Sequence, residues 1–172
     1  MDAARLKQRY ALVSLDYATS GGDVNFGQAG VDECDWSGVA CQNGTVTQVV
    51  WSDAGLSGYI SAEVGLLRNL TYLDLGENEL QGDIPDAIYD LVELEYLYLH
   101  QNRLTGTISP LVVNLMKLIN LYLNGNQLTG AFPPELGSPS RFERRPMREY
   151  CSCWCNVCVS REDRAAHPIF FT

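Results

Sequence analysis

The most constraining feature of this chain is that it repeats itself. Leu70, Leu73, Leu75, Asn78, Leu80, Gly82, Ile84 and Pro85 recur 24 positions later as Leu94, Leu97, Leu99, Asn102, Leu104, Gly106 and Ile108, with Ser109 in place of the proline. A third copy follows without insertion at Leu118, Leu121, Leu123, Asn126, Leu128, Gly130, Phe132 and Pro133. A fixed period of this length predicts units that bury their apolar side only against their neighbours, which is a solenoid. One period upstream of Leu70 the pattern persists in weakened form as Val46, Val49, Trp51, Leu56, Gly58 and Ile60, with Ala54 where the other copies have asparagine. An atypical first unit is expected where one side meets a cap and not an identical coil.

The spacing within each copy gives each unit its shape. Leu73 and Leu75 alternate with residues facing outward, as a short strand with one buried face requires. Asn78, Asn102 and Asn126 fall at the bend that follows, where a side-chain amide hydrogen-bonds backbone groups left unpaired by the turn; stacked, they make a ladder through the core. Gly82, Gly106 and Gly130 are expected to allow close backbone approach, and the Ile-Pro pairs to hold an extended segment. Leucine-rich amphipathic helices are the competing reading. A helix places apolar residues at offsets of three and four, whereas these copies use three and two, followed by asparagine and glycine at fixed offsets.

Composition narrows the partners. Twelve Lys and Arg against 21 Asp and Glu leave a net charge of -9, which repels phosphate backbones and anionic membrane surfaces, so nucleic acid is not an expected partner. Residues 1–140 carry 6 basic and 17 acidic side chains, whereas residues 141–172 carry 6 and 4, which marks the last stretch as a different kind of sequence. The chain has no run of about 18 apolar residues and no apolar stretch of signal-peptide type after Met1-Asp2-Ala3-Ala4-Arg5, so any membrane attachment or export is expected to reside in segments outside it.

The segment LTYLDLGENELQGDIPDAIYDL, from Leu70 to Leu91, resembles the plant-type extracellular leucine-rich-repeat family, whose pattern runs L-x-x-L-x-L-x-x-N-x-L-x-G-x-I-P-x-x-L-x-x-L. The segment Cys34-Asp35-Trp36-Ser37-Gly38-Val39-Ala40-Cys41 looks like that family's N-terminal cap box, and Gln8 to Thr19 like the helix that closes the open end. Similar helix-plus-box arrangements occur in algal and diatom receptor-like proteins. The resemblance implies an α/β solenoid, a right-handed coil with short parallel strands on the concave face, an irregular or 3-10 convex side and a helical N-terminal cap. It divides the chain into a cap at residues 1–45, repeats at 46–137 and a divergent cysteine-rich tail at 138–172.

The resemblance also implies a module of cell-surface receptors, receptor-like kinases or secreted inhibitors, acting outside the cell, with a protein or peptide as ligand and no cofactor. No glycine-rich phosphate loop, V-A-I-K-like lysine, H-R-D or D-F-G triplet occurs, so catalysis is not expected. A secreted inhibitor of an extracellular hydrolase and an intracellular scaffold are the alternatives. Cys34 and Cys41 are implied to pair as the cap disulfide; two reduced thiols are the other possibility that the residues leave open. Asn43-Gly44-Thr45 and Asn69-Leu70-Thr71 match N-glycosylation acceptor triplets.

Stacked coils would place equivalent strand residues in columns about 4.8 Å apart on the concave face. Those columns read Gln48, Tyr72, Tyr96, Asn120 and Val50, Asp74, Tyr98, Tyr122, followed by Ser52, Gly76, His100, Asn124 and Asp53, Glu77, Gln101, Gly125. Tyr72, Asp74, Tyr96, Tyr98, His100, Asn120 and Tyr122 are therefore the candidate ligand-binding residues, on a surface that is aromatic, acidic towards its N-terminal side and suited to a basic or aromatic-rich peptide. The competing explanation is that β-propensity alone places tyrosine on exposed strand positions. His100 stands without a second histidine or cysteine at a matching offset, so no metal site is expected there. Cys151, Cys153, Cys155 and Cys158, in the tail, fit a disulfide cap or a zinc site of unusual spacing.

Overall fold

The computed structural model describes residues 3–20 and 30–130. Phe132, Pro133 and the cysteine-rich tail, with Cys151, Cys153, Cys155 and Cys158, lie outside the described residues. The chain opens with helix α1 (Ala3–Ser20), whose buried residues Gln8, Ala11, Leu12, Leu15, Asp16 and Thr19 follow helical spacing and form one face. Strands β1 (Val39–Gln42) and β2 (Thr45–Val50) form an antiparallel hairpin. Asn43 and Gly44 between them have φ of 51° and 73°, the left-handed pair that a two-residue hairpin turn of type I′ demands.

The repeats then generate β3 (Ser57–Gly58), β4 (Tyr72–Asp74), β5 (Glu79–Asp83), β6 (Tyr96–Tyr98), β7 (Arg103–Thr105) and β8 (Asn120–Tyr122). They sort into two sheets. The concave sheet runs β1-β2-β4-β6-β8, parallel from β2 onward, and a second parallel sheet of order β3-β5-β7 lines the exit from each bend. The second sheet is an addition to what the repeat pattern predicts. On the convex side 3-10 turns occupy Ala62–Leu66, Asp86–Asp90 and Pro110–Asn114. Ser61, Pro85 and Ser109 precede these turns in the same extended conformation. Ser109 substitutes for proline by another route, its hydroxyl oxygen accepting the Leu111 N–H at 3.3 Å as a cap.

One continuous core joins α1 to the last coil, through Leu12 and Leu15, Trp51, and the strand leucines of each repeat. Leu73, Leu75, Leu97 and Leu99 are essentially inaccessible, whereas Leu118 and Leu128 of the third copy are only partly buried, since each coil is sealed by the next. The repeat glycines meet two requirements: a Cβ at Gly106 would come within 2.5 Å of the Asp83 carboxylate and one at Gly130 within 2.9 Å of Thr107, the close approach expected, whereas Gly82 needs only its backbone freedom. Gly82 has no close neighbour beyond the Tyr59 Cβ at 3.9 Å, and what it supplies is its φ of 77°, shared by Gly106 at 76° and Gly130 at 83°.

The asparagines tie coil to coil. Asn78 Oδ1 accepts the N–H groups of Ala54 and Leu56, both at 3.0 Å, while its Nδ2 donates to the carbonyls of Trp51 (2.8 Å), Leu75 and Gly76 (both 3.0 Å). Asn102 bonds Leu80 N–H (2.9 Å) and Leu75 O (2.9 Å), and Asn126 bonds Leu104 N–H (3.0 Å) and Leu99 O (2.8 Å), so the scheme steps along with the repeat. The first coil, with Ala54 in the asparagine position, is served by Asn78 from the next one.

Asn78→Ala strands buried N–H and C=O groups in two adjacent coils and lowers stability by about 3 kcal/mol or more, read as a fall in the urea midpoint; Asn126→Ala, at a half-buried rung, costs less. Tyr89, buried in the Asp86–Asp90 turn, has its phenol pushed up to about 12 by burial, against a hydrogen bond from the Ser109 backbone that acts the other way. Its folded value exceeds the ordinary 10, so its contribution is complete below pH 10 and is lost as pH rises through 12, by about 2 to 3 kcal/mol. Denaturation at pH 8 and pH 11.5 should show this loss, and Tyr89→Phe should remove that part of it; equal alkaline losses in both proteins would refute the assignment.

Candidate binding face

The parallel register fixes the columns. Gln48, Tyr72, Tyr96 and Asn120 are successive partners, as are Val50, Asp74, Tyr98 and Tyr122, on either side of Val49 and the inward leucines Leu73, Leu97 and Leu121. Because side chains alternate across a strand, both columns point away from the core. All seven candidate residues, Tyr72, Asp74, Tyr96, Tyr98, His100, Asn120 and Tyr122, therefore come together on one half-exposed face.

The aromatic rings form a continuous array with Tyr98 at its centre. Tyr72 lies 5.4 Å from both Tyr96 and Tyr98, tilted to the first and edge-on to the second. Tyr98 stacks on Tyr122 at 4.7 Å, the spacing of adjacent strands, with the rings only 16° from parallel. Its hydroxyl accepts a 3.0 Å hydrogen bond from Asn120 Nδ2. Tyr72 is held above the ordinary tyrosine range, first by burial and then by the charge of Asp74. Asp74 is itself oriented, Oδ1 accepting the Gly76 N–H at 3.0 Å.

His100 continues the array, its ring 6.4 Å from that of Tyr98 and 6.1 Å from that of Tyr122. It lies across Gly76, where a Cβ would come within 2.4 Å of its Cε1. Its Nε2 is 3.5 Å from Glu77 Oε1, and Nδ1 is buried with no hydrogen-bond partner among the described residues. Across the four columns the charged groups are Asp53, Asp74 and Glu77, and no lysine or arginine occurs in them. Among the described residues there is no cluster of three or more His, Cys, Asp or Glu able to hold a metal ion, and no helix long and apolar enough to cross a membrane.

The remaining sequence-derived sites sit away from this face. Cys34 and Cys41 are joined, with Cα atoms 5.5 Å apart, linking the turn at Glu33–Asp35 to β1. Asn43 and Asn69 are both exposed. Asn43 occupies the hairpin turn, and Asn-Gly between two short apolar-rich segments was a legible hairpin signal that reading the triplet as a modification motif passed over.

The side chains that fasten the cap escaped the sequence reading altogether. Glu33 is wholly buried and bonded by Arg5 Nε (3.2 Å), Arg9 Nη1 (3.3 Å) and Gln8 Nε2 (3.1 Å) from α1. Gln8 Oε1 in turn accepts the Val46 N–H at 2.7 Å, so one amide connects helix, turn and first repeat. Arg5 also pairs with Asp32, holding that carboxylate below its usual range.

Known proteins match this architecture. The leucine rich repeat family models match residues 60–104 and 117–139. The receptor-like kinase TMK4 of Arabidopsis thaliana is 41% identical over 54 residues, 31% of this chain and 6% of that protein, so the chain spans only a small fraction of this relative. The ectodomain of the Arabidopsis thaliana receptor kinase GASSHO1/SCHENGEN3, solved in complex with CASPARIAN STRIP INTEGRITY FACTOR 2, superposes with a TM-score of 0.71 at 34% identity. That match covers 76% of this chain and 16% of the ectodomain. The ectodomain of the receptor kinase SOBIR1 from the same plant superposes at 0.64 with 30% identity, covering 77% of this chain and 72% of that one.

The contact between His100 and Gly76 yields a direct test of how the face is organised. Gly76→Ala should push the imidazole aside at a cost below about 1 kcal/mol, because the obstructing atoms belong to the end of one side chain. The imidazole resonances of His100 in an NMR spectrum should shift while the melting temperature stays nearly constant; unchanged resonances would show that the ring does not rest on residue 76.

Proposed function

We propose that this chain, which belongs to the plant-type leucine-rich-repeat family, is an extracellular recognition module of a receptor-like protein and binds a peptide or protein segment on its tyrosine-lined concave face. The observation that carries the reading is the array of Tyr72, Tyr96, Tyr98, Tyr122 and His100, packed ring to ring on strands and left half-exposed. Rings locked by their neighbours lose little freedom when a ligand arrives, and tyrosine offers a large contact area with a polar end. The chemistry of the face is that of contact and not of bond-making: flat aromatic area, hydroxyls and carboxylates.

Several features support the extracellular setting. The cap carries a disulfide, which persists in oxidising compartments. Asn43 and Asn69 are exposed acceptor positions that flank one groove beside the start of α1, lined also by Lys7 and Arg68 and by none of the tyrosines. Glycans at both would leave the concave face clear. The net charge of -9 disfavours nucleic acid.

The test is a selection of random linear peptides displayed on phage against the purified chain, followed by affinity measurement of the recovered peptides on variants. Tyr98→Ala is expected to weaken them by at least about tenfold, as for a central aromatic hot spot. Tyr10→Ser and Tyr17→Ser, on the outer side of α1, should leave binding unchanged. Peptides that bind Tyr98→Ala as well as the parent would defeat the proposal.

A further inference from the structure

We infer that the concave face contains a subsite for a guanidinium, built from the Tyr72, Tyr96 and Tyr98 rings with the Asp74 carboxylate, so that the ligand presents an arginine there. This deepens the recognition reading and rests on it. Three rings lie with centroids 5.4 to 6.4 Å apart, and Asp74 is the register partner of Tyr98 and the sequence neighbour of Leu73 beside Tyr72. Ring faces carry negative quadrupoles, and a carboxylate beside them adds a full charge of the same sign. Such a pairing repels anions and favours a flat, weakly hydrated cation that stacks and hydrogen-bonds at once, which is arginine more than lysine.

Charge complementarity points to the same ligand. The cations of the repeats are committed elsewhere: Arg68 with Asp90 at 3.4 Å, Arg103 with Glu79 at 3.2 Å, and Lys117 with Glu93. None of these residues belongs to the four outward columns. Asp74 therefore has no cationic partner within the described residues, and Glu77 has only the imidazole of His100 beside it. A face with three carboxylates, four tyrosines and no lysine or arginine is charged to accept a cation from outside the chain.

The peptides recovered from the displayed library supply the probe. They should be enriched in arginine; replacing that arginine by citrulline, which keeps the shape and removes the charge, should weaken binding about tenfold or more. Asp74→Asn should produce a similar loss, since asparagine retains the acceptor for Gly76 N–H and spares the fold; unchanged thermal melting of the variant checks this. Citrulline and Asp74→Asn together should cost little more than either alone, as two halves of one contact do. Peptides that need Tyr98 but carry no enriched cation, or that ignore Asp74→Asn, would overturn the subsite and leave concave-face recognition standing. Recovery of no peptide that depends on Tyr98 would overturn both.

Discussion

The fold rests on a problem that no single coil can solve. Every bend after a strand leaves backbone N–H and C=O groups inside the core, where water cannot reach them, and an unmet polar group there costs on the order of 1 to 3 kcal/mol. The asparagine of the next repeat meets them. Asn78 binds backbone of the coil before it and of its own coil simultaneously, and Asn102 and Asn126 repeat the arrangement. Leucine burial supplies the driving force for stacking, but the amides fix its register, because a coil displaced along its neighbour would bury its bends unpaired. The strand columns of the concave face inherit their alignment from these bonds.

The cap follows from the same logic at the other end. The first coil lacks its asparagine, and its outer side is closed by α1 and by β1, which pairs with the first coil's own strand β2. Attachment of the helix depends on Gln8 and Glu33, a buried amide and a buried carboxylate bonded to each other and to Arg5, Arg9, the Gly44 carbonyl and the Val46 N–H. A buried carboxylate without those partners would be strongly unfavourable. The cap therefore docks in one orientation, and the Cys34–Cys41 link braces the turn that presents Glu33.

How much of this was legible in the sequence depends on whether an interaction is translated by the period. A solenoid converts sequence offset into spatial neighbourhood, so Tyr72 and Tyr96, 24 residues apart, could be placed side by side before any coordinates, and the register agrees. The asparagine ladder was readable for the same reason. Contacts that belong to no period were hidden: Gln8 reaches Glu33 and Val46 across 25 and 38 residues, through a cap that occurs once. The second parallel sheet was hidden because β3, β5 and β7 carry no apolar alternation of their own; backbone pairing after the bend creates them. His100 on Gly76 was hidden because two adjacent members of one column gave no sign of which side chain lies over which backbone.

The residues that leave the concave strands join the coil-to-coil bonding to the border of the proposed binding face. Asp53, Glu77 and Gln101 hold φ of 49°, 57° and 51°, a left-handed conformation that costs a residue with a Cβ roughly 1 to 2 kcal/mol. Gly125 occupies the same place in the next coil with φ of 70°, so glycine satisfies this turn without that cost. The strain persists because the bend is over-determined: Asp53, Glu77 and Gln101 donate their N–H groups to Gly76, His100 and Asn124 of the following coil. What the three side chains add is an exposed polar border along the tyrosine array, two carboxylates and an amide, projected from backbone that the ladder keeps from relaxing. The bonds that hold coil to coil thus also aim the border of the face, so that a ligand bound there as proposed would meet it already ordered, with little conformational freedom left to lose.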